Sequence, residues 1–155
     1  MTTLSVKHTT FTLERVYPVS PSRVFAAWAD PAAKARWLGG PVATHHELDF
    51  RVGGREIVRG RHEGGPELTF ESHYQDIVPD ERIVFASTMR TETDLATVSV
   101  TTVELEPAAT IGTRLLLTQY SAFLDGHEEP AWREQGTGDQ LTALGRELEQ
   151  SDDLA

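Results

Sequence analysis

The segment SPSRVFAAWADPAAKARWLGGP, residues 20–41, decides the fold because it contains two helix starts in close succession. Ser20-Pro21 and Asp30-Pro31 each place a capping side chain before a proline, whose fixed φ and missing N–H suit the first helical position. Each pair therefore predicts the start of a short helix. The apolar residues of each helix share one edge: Val24, Phe25 and Trp28 in the first, and Ala33, Trp37 and Leu38 in the second.

The composition of the chain narrows its class. A length of 155 residues predicts one domain, which we place at residues 1–150, with a frayed tail at residues 151–155. The absence of cysteine excludes disulfides, thiol catalysis and cysteine-ligated metal, and the net charge of −10 argues against nucleic-acid binding. The chain has neither an apolar run long enough to span a bilayer nor a start typical of a signal peptide. We therefore expect a cytoplasmic protein without membrane insertion.

Strand-like segments before and after residues 20–41 predict an antiparallel meander. Turn-forming glycines, prolines and aspartates separate stretches rich in Val, Ile, Thr, Phe and Tyr. Between Val42 and Val52 the alternation predicts a covered face made of Val42, Thr44, His46, Leu48, Phe50 and Val52. Seven strands are predicted, at Lys7–Tyr17, Val42–Val52, Glu56–His62, Leu68–Val78, Arg82–Thr91, Ala96–Glu106 and Thr113–Phe123.

A long helix is predicted from Pro130 to about Gln150. Its leucine stripe, Leu141, Leu144 and Leu148, must face an apolar partner, and the covered face of the sheet is the large one available. Gly136 and Gly138 each cost about 1 kcal/mol relative to alanine and weaken the first half of this helix. We interpret the acidic residues 125–129 as a solvated loop and helix N-terminus, where negative charge is favourable.

Four blocks of sequence carry a resemblance over nearly the whole chain. They are FTLERVYPVSPSRVFAAWADPAAKARWLGGP at Phe11–Pro41, FRVGGRE at Phe50–Glu56, YQDIVPDERIVF at Tyr74–Phe85 and GTRLLLTQYSAFLDG at Gly112–Gly126. Their order and spacing resemble the SRPBCC or START-like superfamily, in the AHSA-type branch related to the C-terminal domain of the activator of heat-shock protein ninety ATPase. Thr137 departs from the pattern, since many relatives carry tryptophan there, and the departure is expected to enlarge or reshape the space under the long helix.

The resemblance implies an α+β helix-grip fold. In that fold a curved seven-stranded antiparallel sheet wraps around a long C-terminal helix, with two short helices after the first strand. It also implies an apolar cavity between sheet and helix, which in many relatives holds a small hydrophobic molecule such as a lipid. Fold alone does not assign a reaction, so the pocket has to supply the function.

Aromatic or amphipathic residues on the covered faces are the candidate ligand-binding residues. They are Trp37, His46, Phe50, Phe70, Tyr74, Phe85, Met89, Tyr120 and Trp132. Taken singly, each of them is better interpreted as a residue that fills the core, whereas as a set around one helix they favour a cavity. His46 could orient a ligand or act as acid or base, or could be a core histidine, and Tyr74 and Tyr120 could supply a matching phenol.

Three functions from different classes remain open. The favoured one is a carrier or sensor that binds a small hydrophobic or amphipathic ligand. The second is a cyclase- or hydrolase-type enzyme that uses His46 with a tyrosine or a carboxylate such as Glu14 or Asp76, although we recognise no catalytic constellation. The third is an interaction module that regulates a chaperone ATPase. We expect no metal and no cofactor, since the histidines lack ligand spacing, and a homodimer is possible for this type of domain.

Overall fold

The computed structural model describes residues 4–153. Its elements follow the predicted order: β1 (Val6–Tyr17), α1 (Pro21–Ala29), α2 (Pro31–Trp37), a 3₁₀ turn (Gly40–Val42), β2 (Ala43–Leu48), β3 (Arg55–Arg61), β4 (Glu67–Val78), β5 (Arg82–Arg90), β6 (Leu95–Ala108), β7 (Gly112–Leu124) and α3 (Pro130–Asp153). The α+β helix-grip architecture is confirmed, with two short helices after the first strand and a long helix at the end.

All seven strands belong to one antiparallel sheet with the spatial order β1-β7-β6-β5-β4-β3-β2. Strands β2 to β7 pair with their sequence neighbours as a meander, and β1 forms the edge of the sheet next to β7. The sheet is curved, and α3 packs against its concave face. The space between them is where a ligand could lie.

The two short helices begin at the predicted caps. Ser20 Oγ accepts a hydrogen bond from Arg23 N at 3.3 Å, and Asp30 Oδ2 accepts one from Ala33 N at 3.0 Å. The helices also share a hydrogen bond, because Trp37 Nε1 donates to the carbonyl of Ala27 at 2.9 Å. The regular helical donor for that carbonyl would be residue 31, a proline without an N–H, so the indole satisfies a buried acceptor.

The leucine stripe of α3 is buried as predicted. Leu141, Leu144 and Leu148 are at most 2% exposed. Tyr17 ties β1 to this helix, since its hydroxyl donates to the carbonyl of Leu141 at 2.8 Å. Gly145 permits the close approach, because a Cβ there would lie 3.3 Å from Tyr17 Cε1.

The structure corrects two local predictions. Strand β2 ends at Leu48, and a β-bulge between Ala43 and His45 breaks its register with β3. The extra residue of the bulge shifts the alternation, so Thr44 is exposed, and Val52 is exposed in the turn that follows β2. Helix α3 also runs past its predicted end at about Gln150 and continues through Asp153. Leu154 and Ala155 lie outside the described residues.

Within residues 4–153 no helix has both the length and the hydropathy needed to cross a membrane. In the same part of the chain, no group of three or more His, Asp or Glu side chains is placed to hold a metal ion. A cytoplasmic location and a homodimer stay predictions from the sequence.

Candidate ligand-binding site between the sheet and the C-terminal helix

A cavity of about 310 Å³ lies between the concave face of the sheet and α3. Its apolar wall includes Leu38, Val58, Leu68, Phe70, Phe85 and Leu117. A volume of this size falls at the lower end of small-molecule sites, which span about 300 to 1,000 Å³ and combine apolar walls with a few polar groups.

Small residues on α3 keep the space under the helix open. Gly136 and Thr137 both line the cavity. A Cβ added at Gly136 would meet no atom within 4 Å. Thr137 is buried, and its hydroxyl donates to the carbonyl of Arg133 at 2.8 Å, one turn earlier in the helix. The absence of a bulky side chain at these two positions therefore leaves room between helix and sheet.

A buried lysine forms part of the cavity wall, and we call Lys34, His46, Glu56 and Tyr74 the Lys34 network. Lys34 Nζ donates to Glu56 Oε1 at 2.8 Å and to the Tyr74 hydroxyl at 3.1 Å. His46 Nε2 is hydrogen-bonded to Glu56 Oε2 at 2.8 Å. Lys34 and Glu56 line the cavity and are 1% and 2% exposed. The network joins α2 to three strands.

The Lys34 network keeps both of its buried charges. Burial alone would lower the pKa of Lys34, but Glu56 and Tyr74 outweigh it and raise that pKa. Burial alone would raise the pKa of Glu56, but the charge of Lys34 and the hydrogen bond from His46 lower it. Lysine and glutamate are therefore both ionised at neutral pH, and the pair carries no net charge. The ring of Trp28 adds a cation–π contact, with Lys34 Nζ 4.9 Å from its centroid.

A buried arginine also forms part of the cavity wall, and we call Thr97, Gln119, Glu128 and Arg133 the Arg133 network. Arg133 Nε and Nη2 donate to the two carboxylate oxygens of Glu128, each at 2.8 Å. Arg133 Nη1 donates to Gln119 Oε1 at 3.2 Å, and Thr97 Oγ1 donates to Glu128 Oε1 at 2.6 Å. The interpretation of residues 125–129 as wholly solvated is wrong for Glu128, which is buried because it pairs with Arg133.

Thr101 offers an unused donor beside the Arg133 network. Its hydroxyl oxygen accepts a hydrogen bond from Gln119 Nε2 at 2.9 Å. The hydroxyl proton has no acceptor among the residues that the structure describes. Thr101 is 1% exposed and lines the cavity. A ligand oxygen is the kind of partner that this proton lacks.

The structure places four of the nine candidate ligand-binding residues on the cavity wall: Phe70, Phe85, Met89 and Trp132. His46 and Tyr74 do not line the cavity but hold Lys34 and Glu56, which do. Trp132 is also 67% exposed, so it lies where the cavity meets solvent.

The other three candidates lie elsewhere. Trp37 is buried in the core between the short helices, and Phe50 packs its ring edge-to-face against Phe25 and Tyr74. Tyr120 was expected on the covered face, but it is 58% exposed. The register of β7 turns Leu117 and Gln119 inward and therefore turns Tyr120 outward.

The carboxylates suggested for the enzymatic alternative also lie away from His46. Glu14 accepts hydrogen bonds from Arg114 on an exposed surface, and Asp76 pairs with Arg82 at 2.7 Å. The carboxylate that contacts His46 is Glu56. Sequence reasoning missed Glu56 together with Lys34, Gln119, Glu128 and Arg133.

One of these missed residues carried a signal in the sequence. Lys34 stands directly after Ala33 and three residues before Trp37, on the apolar edge of α2. A charged or amide side chain at an apolar position indicates a buried polar contact.

Residues 18–149 match the family described as Activator of Hsp90 ATPase homolog 1-like protein. The chain belongs to this family. Its match covers more than half of the chain, and the helix-grip fold agrees with it. No curated protein matched the chain.

Solved structures of similar proteins share the architecture. The Mll3558 protein from Rhizobium loti is 48% identical with a TM-score of 0.85, over 92% of this chain and 99% of that one. An uncharacterised protein from Rhizobium leguminosarum is 37% identical with a TM-score of 0.90, over 96% and 99%. The CV1439 protein from Chromobacterium violaceum is 28% identical with a TM-score of 0.73, over 90% and 96%.

Proposed function

We propose that this protein binds a small, mostly apolar ligand in the cavity between the sheet and α3, as a carrier or sensor. The observation that carries the proposal is the cavity of about 310 Å³, whose mostly apolar wall also contains two buried polar networks. Such a combination holds a ligand by burial of apolar surface and orients it by a few polar contacts. Membership of the family supports the proposal, since AHSA-type relatives often bind hydrophobic ligands.

A cavity-filling variant tests this proposal. Thr137→Trp places a large side chain in the wall of the cavity and should abolish binding of Nile red, an uncharged dye whose emission rises in apolar surroundings. Thr142→Trp is the matched control, because Thr142 also donates to a carbonyl one turn earlier in α3, that of Gly138, but is exposed. Equal dye binding by both variants would contradict the proposal.

The bound molecule itself can be sought in parallel. Native mass spectrometry of the freshly purified wild-type protein should show a mass added to that of the chain and lost on denaturation. The Thr137→Trp variant should lack the added mass, whereas Thr142→Trp should retain it. An added mass that persists in Thr137→Trp would place the bound molecule outside the cavity.

The Lys34 network does not favour the enzymatic alternative. A lysine nucleophile has to be neutral and a general acid has to be protonated. The raised pKa of Lys34 works against its use as a nucleophile, and the lowered pKa of Glu56 works against its use as a general acid. Because Lys34 and Glu56 neutralise each other, we assign the network a structural role in the wall of the cavity.

The chaperone-regulating alternative stays a prediction. Its support is the family to which the chain belongs, and the cavity adds nothing to it. An ATPase assay with the chaperone from the same cell tests it, with the expected result that the rate stays unchanged when this protein is added.

A further inference from the structure

The charged side chains in the cavity wall balance one another. Lys34 pairs with Glu56, and Arg133 pairs with Glu128, with closest oxygen–nitrogen distances of 2.8 Å in both pairs. His62, the other titratable residue of the wall, is exposed to solvent. The buried part of the wall therefore has a formal charge of zero.

Charge balance in the wall determines which ligand can enter. A carboxylate or ammonium group in the cavity would lose its hydration and find no free counter-charge, because each buried ion already has its own partner. Transfer of such an unpaired charge out of water is strongly unfavourable. An uncharged polar group escapes this penalty and can still accept a hydrogen bond.

We infer that the cavity selects an uncharged molecule with a mostly apolar body and an oxygen that accepts a hydrogen bond from Thr101. An alcohol or a ketone has this chemistry, whereas a fatty acid anion and an alkylammonium ion do not. The inference rests on the proposed function, since it names the class of ligand for the same cavity.

Three ligands with the same alkyl chain test the inference: 1-decanol, decanoate and decylammonium. Calorimetric titration of the full chain is done at about 0.15 M salt, which screens the net charge of the protein. The dissociation constant of decanol should be at least about tenfold lower than that of either ion. Either ion binding as tightly as decanol would overturn the inference and leave cavity binding intact. If neither Nile red nor any of the three ligands binds, the proposed function fails and the inference fails with it.

Single-charge variants test the physical cause. Glu128→Gln keeps the shape of the side chain but leaves the charge of Arg133 unbalanced. The affinity for decanoate relative to that for decanol should therefore rise at least about tenfold over the wild-type ratio. Glu56→Gln should have the same effect through Lys34, which provides a second variant if one of them does not fold. Glu129→Gln is the matched control, because this substitution changes the net charge by the same amount at an exposed position next to Glu128. If Glu128→Gln or Glu56→Gln folds and its ratio of decanoate to decanol affinity equals that of wild type, the inference is overturned. If neither of these two variants folds, the comparison of the three ligands on the wild-type protein decides.

The hydrogen bond from Thr101 has its own test. Thr101→Val removes the hydroxyl with little change in shape and should weaken decanol binding about three- to tenfold, the range expected for one hydrogen bond. Thr102→Val is the control, because the next residue of β6 points to the opposite face of the sheet. Unchanged decanol binding in Thr101→Val would overturn the assignment of Thr101.

Discussion

Lys34 Nζ and Glu56 Oε1 form an ion pair of 2.8 Å whose side chains are 1% and 3% exposed. The pair connects the second short helix to β3 across 22 residues of sequence. It forms part of the wall of the candidate ligand site, so the same contact bears on both stability and binding.

Removal of one partner of this pair should be strongly destabilising. Lys34→Met leaves the charge of Glu56 buried without its counter-charge, and we expect a loss of about 3 to 5 kcal/mol in the free energy of unfolding. The double variant Lys34→Met/Glu56→Gln should lose less, because it removes both charges. Urea denaturation gives the free energy of unfolding of wild type, Lys34→Met and the double variant. Arg51→Met serves as control, since Arg51 pairs with Asp49 in solvent and should cost far less; a Lys34→Met variant no less stable than Arg51→Met would contradict the prediction.

Acid should weaken the fold partly through Glu56. Its pKa in the folded protein lies below the ordinary value of 4.5, so its contribution to stability is present above that value. The contribution is lost as the pH falls from 4.5 towards the lowered pKa. We therefore expect the free energy of unfolding to fall more steeply in this range for wild type than for Lys34→Met/Glu56→Gln. If the free energy of unfolding, measured by denaturant titration, falls equally steeply with pH in both proteins, this role of Glu56 is contradicted.

The two buried tryptophans of the short helices should respond differently to phenylalanine. Trp37→Phe leaves the carbonyl of Ala27 without the indole donor, whereas the buried Nε1 of Trp28 has no hydrogen-bond partner among the described residues. A buried acceptor that loses its partner costs about 1 to 3 kcal/mol. Trp37→Phe should therefore be less stable than Trp28→Phe by about that amount, as measured by chemical denaturation. The opposite order would show that ring volume, and not the hydrogen bond, dominates at these sites.

Alanine at the glycines of α3 should separate helix propensity from packing. Gly136→Ala should stabilise the protein by about 0.5 to 1 kcal/mol, because its new methyl group meets no atom within 4 Å. Gly145→Ala gains the same helix propensity but presses its methyl group against Tyr17 at 3.3 Å. Thermal unfolding should thus give Gly136→Ala the higher midpoint. A midpoint for Gly145→Ala that equals or exceeds it would mean that Tyr17 moves aside freely.

The elements of the fold could be predicted because their signals are local. The caps at Ser20 and Asp30 act on amide groups three residues away, and the stripe of α3 repeats within two turns. Strand β7 shows the limit of such reasoning. Its run Leu115–Leu117 is apolar at every position, so the sequence did not reveal which parity faces inward, and Tyr120 was assigned to the wrong face.

The sequence by itself determined the order of strands and helices, the helix starts and the buried stripe of the long helix, because each depends on residues a few positions apart. Only the tertiary structure decided which charges meet in the cavity wall. Lys34 with Glu56 and Arg133 with Gln119 come from separate elements, and each contact depends on how a helix packs against a distant strand of the sheet. Burial makes such pairing obligatory, since an ion without a partner is too costly in the interior, but it does not say from the sequence which partner each ion takes.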